Sequence, residues 1–308
     1  NRDFQHFIAG GLAGGAGAII TCPLEVAKTR LQAVNNKEFL TAANRGTFRI
    51  GTGMIRTMSD ISKVEGILGL WNGIGPALAG VLPARAIWFT TYQVSKREIE
   101  KHFTNTADVK INFSAALIAG FSVATITSPI WLIKTRMQLQ SKKQLQDLKY
   151  KNSIDCVRRV FKEEGIRGFY KGLTASYIGI SESSLQMVLY EYSRKKVQKK
   201  RYKTLDEKPD SFKEVKLSVV EQLSVGSFAK LIAAAATYPH EVVRTRLREQ
   251  RTGKIKYTGF FQALKVIAVE EGTRGLYGGL TAHLMRVVPN AAILFFVYER
   301  VMNHFRNQ

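Results

Sequence analysis

The sequence predicts an all-α membrane protein with six transmembrane helices in three pseudo-symmetric repeats, joined by three amphipathic surface helices. Three observations predict this fold class: a ten-residue motif occurs three times, a second motif follows each copy, and six weakly polar stretches are long enough to cross a membrane. The stretches cover residues 6–32, 74–95, 112–138, 173–192, 217–243 and 279–300. Charge is concentrated between them, so the slightly polar mean hydropathy of the 308-residue chain does not reveal them.

The ten-residue motif defines the repeats. Its copies begin at Pro23, Pro129 and Pro239. Each copy has the pattern Pro-x-acid-x-x-base-x-base, except that Trp131 occupies the acidic position of the second copy. The motif that follows, acid-Gly and then aromatic-x-Gly, begins at Glu65, Glu164 and Glu271. We therefore predict that three repeats bury their apolar faces against one another, at residues 1–104, 105–208 and 209–308.

The first span is rich in glycine, at positions 10, 11, 14, 15 and 17. Small residues four apart let membrane helices pack closely. A phosphate-binding loop is the alternative, but there is no preceding strand and no Gly-Lys-Ser/Thr ending. Each motif proline should kink its helix, which a membrane protein tolerates where neighbouring helices satisfy the freed carbonyl.

The segments between odd and even spans are basic and amphipathic. Helix-like periodicity predicts a helix at the membrane surface, carried by Met54, Ile55, Met58, Ile61 and Val64. Equivalent stretches precede the other two acid-Gly pairs. The net charge of +22 indicates anionic partners, either nucleic acid, anionic lipid or a charged metabolite. Cys22 and Cys156 form no metal-ligand spacing, so we predict no metal and no cofactor. The chain begins at Asn1, and we expect further residues upstream.

The tripled motifs, Pro-x-acid-x-x-base-x-base followed by acid-Gly and aromatic-x-Gly, resemble the mitochondrial carrier family over essentially the whole chain. The resemblance implies a six-helix bundle in the mitochondrial inner membrane, with three surface helices in the matrix and a central site opened alternately to each side. Trp131 resembles the branch that carries nucleotides and nucleotide-like cofactors. Ser181-Glu182, Lys230 and Pro239-His240-Glu241 are most similar to pyrimidine nucleotide carriers. The Arg-Arg-Arg-Met-Met-Met hexapeptide of ADP/ATP carriers is absent.

The motif also predicts a gate. Acid and base lie three residues apart, on nearly one helix face, so three kinked helix ends can form a ring of ion pairs. The resemblance pairs Lys134 with Glu25 and Lys28 with Glu241, leaves Arg244 without an ionic partner, and braces the ring with glutamines. Arg248 departs from the glutamine pattern. The predicted matrix gate is Glu25, Lys28, Gln32, Lys134, Gln138, Glu241 and Arg244. The alternative is a static set of helix-end charges.

A second, incomplete gate is expected at the opposite end. It resembles the pattern Tyr-acid-x-x-base on the even spans and retains two acids and two bases. The predicted cytoplasmic gate is Lys96, Glu191, Arg194 and Glu299.

Ionisable residues within the spans are candidates for substrate contact, because each costs about 2.5–3.5 kcal/mol at mid-helix. The resemblance places Gly80, then Ile178 and Gly179, and then Arg286 at its three contact points. Arginines bind phosphate bidentately, and the glycines should leave room for a base or sugar. The predicted substrate site is Gly80, Arg85, Ile178, Gly179, Glu182, Lys230 and Arg286. A structural Arg85–Glu182 pair is the alternative for those two residues, and we do not assign His283, since a lone histidine is usually just hydrogen-bonded.

The aromatic-x-Gly stretches begin the even spans, where backbone N–H groups form a ready anion site. In the family these stretches, with the start of each surface helix, bind cardiolipin. The predicted cardiolipin residues are Gly73, Gly172, Gly259 and Gly279. The alternative is a simple helix start that needs a small residue.

The functional prediction is an exchanger of pyrimidine nucleoside di- and triphosphates (UTP, TTP, CTP and their diphosphates) across the mitochondrial inner membrane. Carriage of NAD, FAD or folate on the same fold is the alternative, and a basic soluble nucleic-acid-binding protein is a more distant one. An enzyme is not expected, because the sequence shows no nucleophile–base pair, metal cluster or cofactor loop. Three repeats closing around an axis make a monomer sufficient.

Overall fold

The computed structural model describes residues 2–33, 52–102, 108–140, 150–205, 218–250 and 256–306. These residues are helical and include no strand, which confirms the predicted all-α class. The α-helices are α1 (Arg2–Gln32), α2 (Thr52–Glu65), α3 (Ile74–His102), α4 (Asp108–Leu139), α5 (Ser153–Gly168), α6 (Leu173–Leu205), α7 (Val219–Thr237), α8 (Pro239–Glu249), α9 (Phe260–Leu276) and α10 (Leu280–Arg306). The proposed repeat boundaries, after residues 104 and 208, lie outside the described residues.

Six long helical segments match the predicted spans: α1, α3, α4, α6, α7 continued by α8, and α10. Three stretches of the described chain are long and apolar enough to cross a membrane by length and composition alone, namely Ala9–Gln32, Ile67–His102 and Lys110–Leu139. The other three segments carry Glu182, Lys230 or Arg286 within them. These side chains lower the average hydropathy, as expected of helices around a polar interior.

The closest packing joins helices of neighbouring repeats. Helix α1 packs along α10, α3 along α4, and α6 along α7. Contacts of α1 with α3 and of α4 with α6 link these pairs. The repeats therefore bury their apolar faces mainly against one another, as repeats of this size must.

The surface helices α2, α5 and α9 cover the ends of the odd spans. Val26 packs with Ile61, Leu132 with Val160, and Val242 with Ile267, each pair within its own apolar cluster. The outer faces of these helices remain apolar, with exposed Ile55, Ile154, Phe161, Phe261 and Val269. An apolar outer face on a helix that also carries charged residues fits a position in the membrane interface.

Two of the motif prolines lie inside a helix, and the third begins one. Pro23 and Pro129 lie inside the continuous helices α1 and α4. Pro239 instead begins α8 directly after Tyr238, so the third odd span is divided into two helices. A proline is well placed at a first helical position, where its missing N–H has no partner to lose.

Candidate functional site

A central cavity lies between the long helices. It consists of two adjoining parts of about 590 and 580 Å³. Both parts are lined by the same five residues: Glu25, Trp88, Val123, Trp131 and Lys134. We treat them as one space and call it the central cavity.

Ion pairs between the odd helices form the floor of the central cavity. Lys134 Nζ lies 2.8 Å from Glu25 Oε1, which joins α4 to α1. Lys28 forms an ion pair with Glu241, which joins α1 to α8. These are the two pairs that the sequence predicts. They connect residues more than 100 positions apart and hold three helix ends together.

Two arginines extend this floor. Arg286 Nη1 on α10 lies 3.2 Å from Glu25 Oε1, so a predicted substrate residue also belongs to the ion-pair network. Arg244 Nη2 lies 3.1 Å from Glu241 Oε1. The prediction that Arg244 lacks an ionic partner is therefore wrong. Residues three apart on one helix face each other, and this carboxylate is within its reach.

Trp131 stands where the other two repeats have a carboxylate. Its indole Nε1 donates to Thr127 Oγ1 at 2.8 Å, and its ring lies 4.8 Å from Lys134 Nζ. The indole thus makes a cation–π contact within its own helix. It offers Arg244 no negative charge across the α4–α8 interface.

His283 belongs to the floor, although the sequence analysis does not assign it. Its Nδ1 lies 2.7 Å from Lys28 Nζ and 3.5 Å from Glu241 Oε2, and the side chain is buried. The signal available in the sequence is its position one helical turn after Gly279, at the start of an even span. Periodicity alone does not show that this turn faces Lys28.

The predicted braces connect neighbouring helices and do not bind the ion pairs themselves. Gln32 donates from Nε2 to the Tyr238 hydroxyl and accepts from the Thr245 hydroxyl, both at 2.8 Å. Gln138 accepts from the Thr29 hydroxyl at 3.0 Å. Within the described part of the chain its Nε2 has no hydrogen-bond partner.

A second ring, which the sequence analysis missed, lies directly outside the first. Arg30 binds both carboxylate oxygens of Glu65, at 2.6 and 2.8 Å, and donates to the carbonyl oxygens of Gln138 and Gln140 in the next repeat. The same arrangement recurs with Arg136 and Glu164 and with Arg246 and Glu271. Both members recur three times in the sequence, and this is the signal that could have identified them.

In the second ring, Glu164 is held as a carboxylate. Burial by itself raises the pKa of this group, but hydrogen bonds from Arg136 and Lys171 outweigh it and lower the pKa below the ordinary value of 4.5. Both side chains of the Arg136–Glu164 pair are almost fully buried.

The structure brings only part of the predicted substrate site together. Arg85, Gly179 and Arg286 line the central cavity. Lys230 Nζ lies 2.6 Å from Glu182 Oε1, which joins α6 to α7. The alternative pairing of Glu182 with Arg85 is therefore wrong. Neither Glu182 nor Lys230 lines the two cavity parts.

The predicted free space beside two glycines is filled by protein. A Cβ atom at Gly80 would lie 3.1 Å from Ile130 Cγ2, and one at Gly179 would lie 2.8 Å from His240 Nε2. Ile178 packs against the apolar cluster around Tyr238. In this conformation the two glycines therefore allow helices to approach where a Cβ atom would point, while Gly179 still lines the central cavity.

In the described residues, one group of side chains could supply metal ligands, but its surroundings do not favour a metal ion. Ligand atoms of Glu182, His240 and Glu241 lie within 4.8 Å of one another. However, Glu182 is already paired with Lys230, and Glu241 with two other cations. Neutralised carboxylates are poor partners for a divalent ion.

The predicted cytoplasmic gate differs from the floor of the cavity. Lys96 Nζ lies 3.7 Å from Glu100 Oε1, one turn along the same helix. Glu191 and Arg194 lie on α6, and Glu299 on α10. Between helices, the Tyr92 hydroxyl donates to Asn112 Oδ1 at 3.1 Å. Lys96 thus forms its ion pair within α3, whereas the Lys28–Glu241 and Lys134–Glu25 pairs bridge different helices.

Three of the predicted cardiolipin residues have a clear structural reason to be glycine. Gly73, Gly172 and Gly279 have φ angles of 85°, 80° and 79°, which favour glycine. A Cβ atom on these residues would lie 3.0–3.2 Å from the carbonyl oxygens of Lys134, Arg244 and Lys28 respectively. Gly259 is different, with an extended backbone and open space beside it. Lipid binding at these positions stays a prediction.

An all-helical chain of three repeats around a central cavity, closed at one end by ion pairs between the repeats, has the architecture of a membrane transport protein. The family described as mitochondrial carrier protein matches residues 2–103, 106–201 and 215–308, and the chain belongs to this family. Members are transporters, and membership places the chain in the mitochondrial inner membrane.

Several relatives are similar over almost their whole length. The mitochondrial pyrimidine nucleotide transporter RIM2 of Saccharomyces cerevisiae is 42% identical, over 98% of this chain and 86% of its own. The mitochondrial carrier protein rim2 of Schizosaccharomyces pombe is 46% identical, over 98% of this chain and 89% of its own. Solute carrier family 25 member 36 of Gallus gallus is 40% identical, over 96% of both chains.

Proposed function

We propose that this protein exchanges pyrimidine nucleoside di- and triphosphates across the mitochondrial inner membrane by alternating access. The observation that carries the proposal is the charge of the central cavity. Its lining includes one carboxylate, Glu25, and six cationic side chains: Lys28, Arg85, Lys134, Arg244, Arg248 and Arg286. Glu241 is paired with cations of the floor. If its charge is counted as well, the six cations still outnumber the two carboxylates. Such a site binds polyphosphate.

The rest of the cavity suits a nucleoside. Each part has a volume within the usual range of about 300–1,000 Å³ for small-molecule sites. Trp88 and Trp131 line both parts and supply aromatic surface that a flat base can contact. The name of the Saccharomyces cerevisiae relative supports a pyrimidine base as the cargo.

The positions of the ion pairs support alternating access. The Lys28–Glu241 and Lys134–Glu25 pairs close the proposed matrix gate, while Lys96 forms its pair within one helix. A phosphate that binds Arg286 competes with Glu25 for this guanidinium and loosens the floor. Partly desolvated pairs contribute little net energy, so the gate can open and close in each cycle.

We extend the proposal to the remaining partners. Cardiolipin binds at Gly73, Gly172, Gly259 and Gly279, and the protein acts as a monomer of the three repeats proposed above. We propose that nucleic acid is not a partner and that no reaction is catalysed; the cationic lining of the cavity supports transport of a small anion.

Exchange in liposomes tests the proposal. Purified protein reconstituted with internal UTP should take up radiolabelled UTP or TTP much faster than protein-free liposomes. Arg286→Ala should abolish this uptake and leave folding largely intact, because it removes a phosphate ligand. Uptake of NAD or folate without UTP or TTP would assign the cargo to another branch of the family. Unchanged uptake by the variant would remove Arg286 from the site.

A further inference from the structure

Arg248 is a buried cation that belongs neither to the ion pairs nor to the glutamine braces of the predicted matrix gate. It occupies the position where the other two repeats have Gln32 and Gln138. The side chain is only 8% exposed, and it lines the central cavity. Its Nη2 donates to the Ser176 hydroxyl at 3.3 Å, and its Nε has no partner among the residues that the structure describes.

Symmetry explains why Arg248 cannot act as a brace. The Thr29 hydroxyl donates to Gln138, and the Thr245 hydroxyl donates to Gln32. The equivalent hydroxyl, on Thr135, donates to the carbonyl oxygen of Trp131 in its own helix, and the Thr29 hydroxyl likewise lies 2.8 Å from the Glu25 carbonyl oxygen in addition to its contact with Gln138. A guanidinium has five N–H donors and no acceptor, so it cannot receive this bond.

The charges near Arg248 do not compensate it. Helix α8 carries two acids, Glu241 and Glu249, and Glu241 is already bonded to Lys28 and Arg244. A buried guanidinium that lacks a carboxylate is costly unless an anion completes the site. Gln138, which is 2% exposed, lines the same part of the cavity, and its Nε2 also has no hydrogen-bond partner among the described residues.

We propose that Arg248, with Arg244, Gln138 and Ser176, forms a subsite at the cavity floor for the outermost phosphate of the cargo. The inference rests on the proposed function and deepens it, because it assigns a direction to the bound nucleotide. The phosphate chain points toward the ion pairs of the floor. The subsite therefore favours triphosphates over monophosphates of the same base.

The subsite also connects cargo to the gate. Arg244 is shared between the subsite and Glu241. A phosphate that binds Arg244 and Arg248 weakens the attraction of Arg244 for Glu241, which is one half of the Lys28–Glu241 pair. That contact lies within α8, so its loss leaves the Lys28–Glu241 pair as the link between α1 and α8 at the floor.

Arg248→Gln tests the subsite, because it restores the residue found in the other two repeats. In liposomes, we expect the KM for UTP to rise by about ten-fold or more, and the KM for UMP to change by less than about two-fold. Arg158→Gln is the matched control, since this arginine is exposed on surface helix α5 and the charge change is identical. It should leave both KM values unchanged.

A binding measurement separates this inference from the proposed function. Inorganic triphosphate should raise the Tm of the detergent-purified wild type, and Arg248→Gln should remove most of this shift. Arg248→Lys keeps the charge but loses the bidentate fork, so it should retain a smaller Tm shift. It replaces Arg248→Gln as the test variant if Arg248→Gln does not fold.

The outcomes are distinct. If the wild type exchanges UTP but Arg248→Gln changes the KM for UTP and UMP by the same factor, the subsite is disproved and the proposed function stands. If the wild type exchanges no pyrimidine nucleotide, the proposed function fails, and the subsite is judged by inorganic triphosphate alone. An unaltered Tm shift in both Arg248 variants overturns the subsite in either case.

Discussion

The α1–α8 interface and the α4–α8 interface are built from equivalent positions but have different chemistry. Between α1 and α8, Lys28 is paired with Glu241, and Gln32 is bonded to both Tyr238 and Thr245. Between α4 and α8, the corresponding positions hold Trp131, Arg244 and Arg248, and neither the ion pair nor the glutamine brace is formed. The α1–α8 interface thus has both the ion pair and the glutamine hydrogen bonds. The other places two arginines on the wall of the cavity.

The difference shows how one repeat design supplies both an ion-paired interface and a charged cavity wall. The α4–α8 interface is still held by Arg136, which donates to the carbonyl oxygens of Arg248 and Gln250 while it binds Glu164. The outer ring therefore maintains contact where the inner ring does not. Arg244, which is paired within its own helix, and Arg248 both line the cavity.

The largest expected effect comes from removing the outer link at the incomplete interface. Arg136→Ala leaves the buried Glu164 carboxylate without its main partner, which should lower the free energy of unfolding by about 3–5 kcal/mol. Arg30→Ala makes the same change at the α1–α4 interface, where Lys134–Glu25 also contributes, so its effect should be smaller. Thermal unfolding in detergent measures both. Equal losses would contradict the assigned difference between the interfaces.

Trp131→Glu should complete the inner ring. The new carboxylate faces Arg244 across the α4–α8 interface, and a charged hydrogen bond of about 1.5 kcal/mol should hold the floor closed more firmly. We expect nucleotide exchange to slow by roughly ten-fold while the Tm increases. Trp131→Gln is the control, since it removes the indole without adding charge. Faster exchange by Trp131→Glu would show that this position does not act on the gate.

The two glutamine braces should differ in proportion to their bonds. Gln32→Ala breaks two buried hydrogen bonds and should reduce the free energy of unfolding by about 1–3 kcal/mol. Gln138→Ala breaks one and removes an unpartnered donor, so the loss should be about half as large. Chemical denaturation of both variants gives the comparison. A greater loss for Gln138→Ala would mean that its Nε2 contributes stability in the folded protein.

The smallest effect is confined to acidic pH. Because the pKa of Glu164 is lowered in the folded state, its contribution to stability is present above the ordinary pKa of 4.5 and is lost as the pH falls through the folded value. The Tm of the wild type should therefore fall on acidification below that pH. Glu164→Gln should have a lower Tm at neutral pH and a weaker decline. Parallel Tm curves for the two proteins would argue against this linkage.

Much of the fold was predictable because its signals repeat. The recurrence of Pro23, Pro129 and Pro239 predicts three equivalent units, and acid-base spacing within each copy predicts helix ends that exchange charges. The structure forms both predicted pairs, Lys134–Glu25 and Lys28–Glu241. The second ring was within reach of the same reasoning, because its arginines and glutamates also recur.

The substrate site was less predictable, since its residues occur once each. Glu182 was weighed as a partner of Arg85, yet it binds Lys230. Gly80 and Gly179 were expected to leave room for a base, yet Ile130 and His240 occupy the space beside them. The rotation and separation of two helices decide which side chain fills the gap between them. A local sequence pattern predicts neither quantity.

The sequence by itself determined the three helical repeats, their order and the residues able to form ion pairs, because each depends on periodicity and spacing within one helix. Only the tertiary structure decided that Arg286 joins Glu25, that His283 contacts Lys28, and that Arg248 is buried with an unpartnered Nε. These facts depend on how helices distant in the chain meet around one axis. Burial and partnership arise from packing, whereas charge and spacing are already present in the sequence.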